Sequence, residues 1–328
     1  MRILFFGTSP FAVPSLNVLL GSPHQIIGVV TQPDRPHGRG MSESYSPVKK
    51  AVLANAPAML LLQPEKARTK EFRLAVSELA PDILVVAAFG QILSQRLLDL
   101  PRYGGINVHG SLLPRWRGAA PMQYSMIAGD AETGVTIMQM SAGLDSGDIL
   151  LQGAIPLGPN DDIDSVEERL SSLGADLLLQ TLEQIEDGTV TATPQDESLV
   201  TYSPALPADF GFIDWTRPAT EINNLIRGVT PRPGAFAFIS GKRLKIWRSS
   251  VDESTGDGEP GRVVEIRKIG ELGILVQSGA NTRLLLKEVQ PESKGRMGAL
   301  DFARGARFVV GSKFDSSVRP VGPAHQSS

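Results

Sequence analysis

The chain has no cysteine. That excludes disulfides, zinc–thiolate sites and thiol nucleophiles, and with them the stapled secreted scaffolds, so a cytoplasmic protein is expected. No apolar run approaches the roughly 20 residues that a membrane-spanning helix needs, and a membrane is not expected among its partners. The opening Met1-Arg2-Ile3-Leu4-Phe5-Phe6-Gly7 meets turn residues at once, without a small-residue cleavage site, and reads as a first strand. The glycine-rich G-x-G-x-x-G fingerprint is missing as well. Gly7-Thr8-Ser9-Pro10 offers one glycine after that strand, which argues against a dinucleotide site. A tight strand-to-helix turn with Pro10 near the first helical turn accounts for it, with a substrate loop as the other reading. Histidine is scarce, four in 328 residues, so a histidine in a loop carries weight.

What is present is a globular composition, 41% hydrophobic and 20% charged, in a chain long enough for two domains. The net charge of -3 conceals a split: residues 205–328 hold 18 Lys+Arg against 13 Asp+Glu, and residues 1–204 hold 14 against 22. A second domain at +5 hints at a polyanionic partner, chance imbalance being the alternative.

Strand-like apolar runs alternate with helical patterns over the first 190 residues. The strands are Ile3 to Phe6, Ile26 to Val30, Met59 to Leu62, Ile83 to Ala87, Gly105 to Val108 and Val135 to Met140. The helical patterns include Pro47 to Asn55, Lys70 to Leu79, Ile92 to Leu98, Ala120 to Ala128 and Ser165 to Ile185. This predicts an α/β fold, a Rossmann-like, mostly parallel sheet covered on both faces. Residues 1–188 are assigned to it. Residues 189–207, rich in Thr, Pro, Ser, Gln and Asp, read as a linker. Residues 208–312 carry one short helix, Ala219 to Gly228, and then short β-rich segments separated by Gly or Asp clusters, which suggests a smaller C-terminal β-barrel of OB-like type. Residues 313–328 are polar and read as a disordered tail.

Two motifs carry chemistry. In Gly105-Ile106-Asn107-Val108-His109-Gly110-Ser111-Leu112-Leu113-Pro114, Asn107 and His109 are two residues apart at the end of a strand, so they point to one side while Ile106 and Val108 pack on the other. Carboxyl ends of parallel strands are where open α/β sheets bind ligands. Gly143-Leu144-Asp145-Ser146-Gly147-Asp148 supplies a carboxylate from a glycine-bounded turn, or is simply a solvated hairpin. An amide for an oxyanion, an imidazole for a proton and a carboxylate to orient it make a coherent set. Arg115-Trp116-Arg117-Gly118 either brackets a flat ligand or phosphate or is packing plus surface charge. Asp34-Arg35-Pro36-His37-Gly38-Arg39-Gly40 is either a basic flap or a solvated loop.

These residues are familiar. The N-x-H-G-S-L-L-P run, the G-L-D-S-G-D turn, Thr31 to Gly40, Ile213-Asp214-Trp215, Ile226-Arg227-Gly228 and Pro231 to Ala235 together closely resemble the methionyl-tRNA formyltransferases, a family of folate-dependent formyltransferases, over roughly residues 1–310. The resemblance implies transfer of a formyl group from 10-formyltetrahydrofolate to the α-amino group of methionine on initiator methionyl-tRNA, without a metal. It implies Asn107, His109 and Asp145 as the catalytic set, Ser111, Leu112, Leu113 and Pro114 as lining of the folate site, and Arg35 and Arg39 as tRNA contacts. A monomer is expected. Met41-Ser42-Glu43 stands where the family often carries lysines. The alternative keeps the folate and changes the acceptor to a small amine such as an amino sugar nucleotide.

Overall fold

A computed structural model describes residues 1–37 and 42–315. The chain divides into two compact units. The first comprises Met1–Met122, Glu132–Leu157 and Asp164–Pro204, the second Gln123–Ala131, Gly158–Ile163 and the residues from Ala205 onward.

The first unit is built on a seven-stranded sheet. From one edge to the other the strands are Ile149–Pro156, Glu132–Gln139, Gly105–His109, Ile83–Ala87, Arg2–Gly7, Gln25–Val30 and Leu61–Leu62. The last five pair in parallel, and the first two add antiparallel. Ile83–Ala87 is buried along its whole length, as are the five residues after Arg2 in the first strand. That is the unbroken apolar pattern of strands covered on both faces, and it is why the parallel sheet was legible. On one side Phe6 meets Phe89 edge-on at 5.3 Å and Phe72 at 6.2 Å. The helix Pro47–Asn55 starts with proline in its first turn behind Ser46, whose hydroxyl accepts from the Lys49 N–H. Lys70–Leu79 starts behind Thr69, which accepts from the Phe72 N–H. Chain order places a topological switch between Arg2–Gly7 and Ile83–Ala87, beside the strand that carries Asn107 and His109.

In the second unit five antiparallel strands run in the order Ala235–Ile239, Lys242–Asp252, Arg283–Pro291, Gly273–Gln277 and Val263–Arg267, with Met297–Gly298 added on Arg283–Pro291. Among the described residues no ladder joins the two outer strands, so the path is that of an antiparallel sheet. The helix Ala219–Val229 buries Ala219, Ile222, Ile226 and Val229, the 3-and-4 spacing of one helical face, in the same core as Leu244, Ile246, Leu284 and Leu286.

Several boundaries differ from the sequence reading. The strand Ile149–Pro156 and the helix Ala299–Ala306 were not anticipated, and Ile92 to Leu98 is helical only over Gln95–Leu98. Two stretches from within residues 1–188 belong to the second unit. There the Tyr124 ring lies 5.8 Å from that of Phe210, tilted at 58°, and the Arg227 guanidinium donates to the Gly158 carbonyl at 2.7 Å. Residues 189–204 are not a free spacer. Thr193 exchanges two 2.8 Å backbone hydrogen bonds with Ile149, and Tyr202–Ser203 pairs in parallel with Arg117–Gly118. The tail assignment also fails at its start: Phe314 is 1% exposed with its ring 4.7 Å from Trp215, and Asp315 accepts from the Ser240 and Gly241 amides. Residues 316–328 lie outside the described residues.

Candidate active site

The strand Gly105–His109 pairs with Ile83–Ala87 on one side and Glu132–Gln139 on the other, which fixes the direction of its side chains. Asn107 is half-buried, and its carboxamide makes no hydrogen bond among the described residues, so it is unengaged at the carboxyl end of the sheet. His109 is 5% exposed. Its Nε2 lies 3.0 Å from the Trp116 carbonyl oxygen, and its Nδ1 lies 3.7 Å from Asp145 Oδ2.

That geometry sets the proton inventory. A carbonyl oxygen only accepts, so Nε2 carries hydrogen. In the neutral ring Nδ1 is then a bare acceptor facing a carboxylate, which is also an acceptor. Nδ1 is thus the ring position open to a proton, with the Asp145 carboxylate beside it.

Asp145 sits at φ +46° in a glycine-bounded turn, a left-handed conformation that aspartate adopts more readily than most non-glycine residues. Its Oδ2 accepts from the Gly118 N–H at 2.9 Å. Gly147 is required next to it, because a Cβ there would lie 1.8 Å from the Gln139 carbonyl oxygen.

The loop after His109 holds itself. Ser111 is wholly buried, and its hydroxyl donates to the Arg115 carbonyl at 2.7 Å. Thr136 donates to the Ser111 carbonyl at 2.7 Å and accepts from the Leu113 N–H at 3.1 Å, and Gln152 donates to the Leu113 carbonyl at 2.9 Å. Of the four residues assigned to the folate site, Ser111 and Leu113 are thus turned inward, and Leu112 and Pro114 are partly exposed.

Between Trp116 and Gly118 stands Arg117, 3% exposed. It is neither a phosphate clamp nor a surface charge: its Nε donates to Gln195 Oε1 at 3.0 Å and its terminal nitrogens reach Glu197, the nearer at 2.8 Å. The hydrogen bond from Arg117 holds the Glu197 carboxyl below its ordinary range. Arg115 is exposed and lies 4.3 Å over the Trp116 ring. The Gln195 connection was missed because one glutamine in a Pro/Thr/Ser-rich stretch has no periodic signal. The intact pairing of its neighbours with Ile149 and Arg117 is visible only in three dimensions.

The flap is partly described. Arg35–His37 pairs antiparallel with Ser42–Ser44, and Arg35 is exposed at its start. Arg39 lies outside the described residues. At the flap's base Asp34 is ion-paired with Lys49 and accepts from Gln63 at 3.1 Å. Burial acts to raise the Asp34 carboxyl, but the hydrogen bonds from Lys49 and Gln63 and the lysine's charge outweigh it, leaving the group below its ordinary value. Among the described residues there is no cluster of three or more potential metal ligands, and no helix is long and apolar enough to cross a membrane.

Residues 1–182 match the family model described as formyl transferase, and residues 206–307 match that of the formyl transferase C-terminal domain. The methionyl-tRNA formyltransferase of Geobacter sulfurreducens is 46% identical over 313 residues, covering 95% of this chain and 96% of its own. Among solved structures, an N-formyltransferase from Helicobacter canadensis in complex with folinic acid and dTDP-3-aminofucose superposes with a TM-score of 0.65 at 18% identity, covering 89% of this chain and 99% of that one. HypX from Aquifex aeolicus in complex with tetrahydrofolic acid superposes at 0.62 with 16% identity, covering 92% of this chain and 47% of that one. At those identities the likeness is one of fold.

Proposed function

The chain belongs to the formyl transferase family, and we infer that it transfers the formyl group of 10-formyltetrahydrofolate to the α-amino group of methionine on initiator methionyl-tRNA, for translation initiation. The observation that carries this reading is the approach of His109 to Asp145 beside the unengaged Asn107 at the carboxyl end of the sheet, in a chain whose relatives are named for that reaction over nearly its whole length.

In this reading the neutral amine attacks the formyl carbon, a C–N bond forms, and the carbonyl oxygen becomes an oxyanion. Asn107 donates to that oxygen, and the His109 Nε2–H joins it by exchanging the Trp116 carbonyl for the oxyanion. The attacking nitrogen acquires a positive charge and loses a proton to the Asp145–His109 unit. As the bond from the formyl carbon to the folate nitrogen breaks, that nitrogen takes a proton back, so charge and protons balance. The partly exposed Leu112 and Pro114 offer the folate an apolar edge, while Ser111 and Leu113 hold the loop. Arg35 and Arg39 serve the tRNA, together with the second unit. The protein acts in the cytoplasm as a monomer, and no metal takes part.

The test is formylation with purified protein, 10-formyltetrahydrofolate and charged initiator tRNA, with charged elongator tRNA and an amino sugar nucleotide as competing acceptors. Formylmethionine made on the initiator and lost in His109→Ala supports the reading. Formylation of the amino sugar alone overturns it.

A further inference from the structure

Asp145 occupies a left-handed conformation, and a side chain that holds its turn lies fifty residues downstream. Gln195 is 9% exposed. Its Nε2 donates to the Asp145 carbonyl at 2.8 Å and to the Gly147 carbonyl at 2.7 Å, and its Oε1 accepts from Arg117 Nε at 3.0 Å. The orientation of the amide is unambiguous, because carbonyls cannot donate and a guanidinium cannot accept. Every hydrogen of the amide is used, both on the turn that presents Asp145.

The other end of the amide matters as much. Arg117 follows Trp116, whose carbonyl accepts from His109, and precedes Gly118, whose N–H donates to Asp145. Ser203 donates to the carbonyls of both Trp116 and Arg117, at 3.1 and 3.2 Å. One side chain therefore ties the backbone of Asp145 to the segment that sets the ring of His109.

We propose that Gln195 is a positioning residue: together with Arg117 it fixes the separation of His109 and Asp145, and the segment 193–203 is a strap belonging to the active site. The proposal rests on the formyl-transfer reading for its kinetic test, though not for its spectroscopic one. A buried amide whose every group is satisfied gives a rigid constraint, and removing it leaves two carbonyls and a guanidinium N–H without partners. A proton-transfer pair displaced by about 1 Å loses on the order of a hundredfold in rate.

The experiment is a double-mutant cycle of Gln195→Ala with Asp145→Asn on formylation of initiator methionyl-tRNA, beside the imidazole nitrogen shifts of His109 in histidine-labelled protein. Gln195→Glu, which keeps the shape and the Arg117 partner, replaces Gln195→Ala should the latter not fold. The expected result is a 10- to 100-fold fall in kcat with both KM values within threefold. In the Asp145→Asn background the further loss should be below threefold, and the His109 nitrogen shifts should move while those of His24 do not. A fall in kcat that multiplies fully with that of Asp145→Asn, or a kcat within twofold of wild type, overturns the proposal. Should the wild type not formylate methionyl-tRNA at all, the functional reading fails by itself, and unmoved His109 shifts would overturn the positioning role independently.

Discussion

At the scale of single residues, Asp145 separates charge from conformation. Its φ of +46° is one that asparagine tolerates and alanine resists. Asp145→Asn keeps the oxygen that accepts from Gly118 and removes only the charge facing His109. We expect kcat to drop roughly 100- to 1000-fold with little change in the melting temperature, measured by steady-state formylation and thermal denaturation. Asp145→Ala adds the cost of the left-handed conformation, about 1–2 kcal/mol, so its activity loss comes with a lower melting temperature. Asn107→Ala belongs beside these: its carboxamide has no structural partner among the described residues, so its loss should cost about a hundredfold or more in kcat and leave stability within ~0.5 kcal/mol. Equal melting temperatures with wild-type kcat would remove Asn107 from the catalytic set.

At the scale of elements, the strap shows how much was legible in sequence and how much was not. The parallel core announced itself through Ile3 to Phe6 and Ile83 to Ala87, where burial on both faces writes a continuous apolar run. Asn107 and His109 were legible because two-residue spacing on a strand carries direction. Asp145 was legible only as one of two readings of a turn. Gln195 was not legible, since isolated polar side chains that cap distant carbonyls leave no pattern, and composition made their segment look like a linker. Likewise, the strand Ile149–Pro156 lies at the sheet edge with its alternate residues exposed, and so lacks the apolar run of its inner neighbours. The strap yields its own prediction. Gly118 sits at φ +128°, and a Cβ there would lie 2.6 Å from the Ser203 carbonyl oxygen. Gly118→Ala should break the pairing of Arg117–Gly118 with Tyr202–Ser203, cost about 1–3 kcal/mol and make residues 189–204 more sensitive to limited proteolysis. Unchanged cleavage in that variant would show the pairing to be dispensable.

At the scale of the whole molecule, the proposed tRNA contact of the second unit is tested through its charges. Many cations of the second unit are already neutralised, among them Arg262 by Glu259, Arg267 by Asp252 and Lys287 by Glu271. Arg243 and Lys245 lie against aromatic rings instead, with Glu292 acting electrostatically on Arg243. The Arg243 guanidinium lies 3.7 Å over the Phe236 ring, and Lys245 Nζ lies 5.3 Å from the ring of Trp247. Burial first, and then the like charges of Arg243 and Arg232, push the Lys245 ammonium below the ordinary lysine range. Cations crowded against one another are relieved by phosphate. Raising monovalent salt from about 50 to 200 mM should therefore raise the KM for tRNA roughly 10- to 40-fold with two or three phosphates neutralised here, while the KM for 10-formyltetrahydrofolate changes far less. Replacing Arg243 and Lys245 by alanine should flatten the log–log slope by about one to two and leave kcat at saturating tRNA intact. The sign with pH follows from the same crowding. A depressed ammonium loses its proton earlier as pH rises, so tRNA affinity should fall at a lower pH in the wild type than in Lys245→Arg, whose guanidinium stays charged. A salt slope unchanged by the double substitution would move the tRNA contact off this face and onto the flap around Arg35.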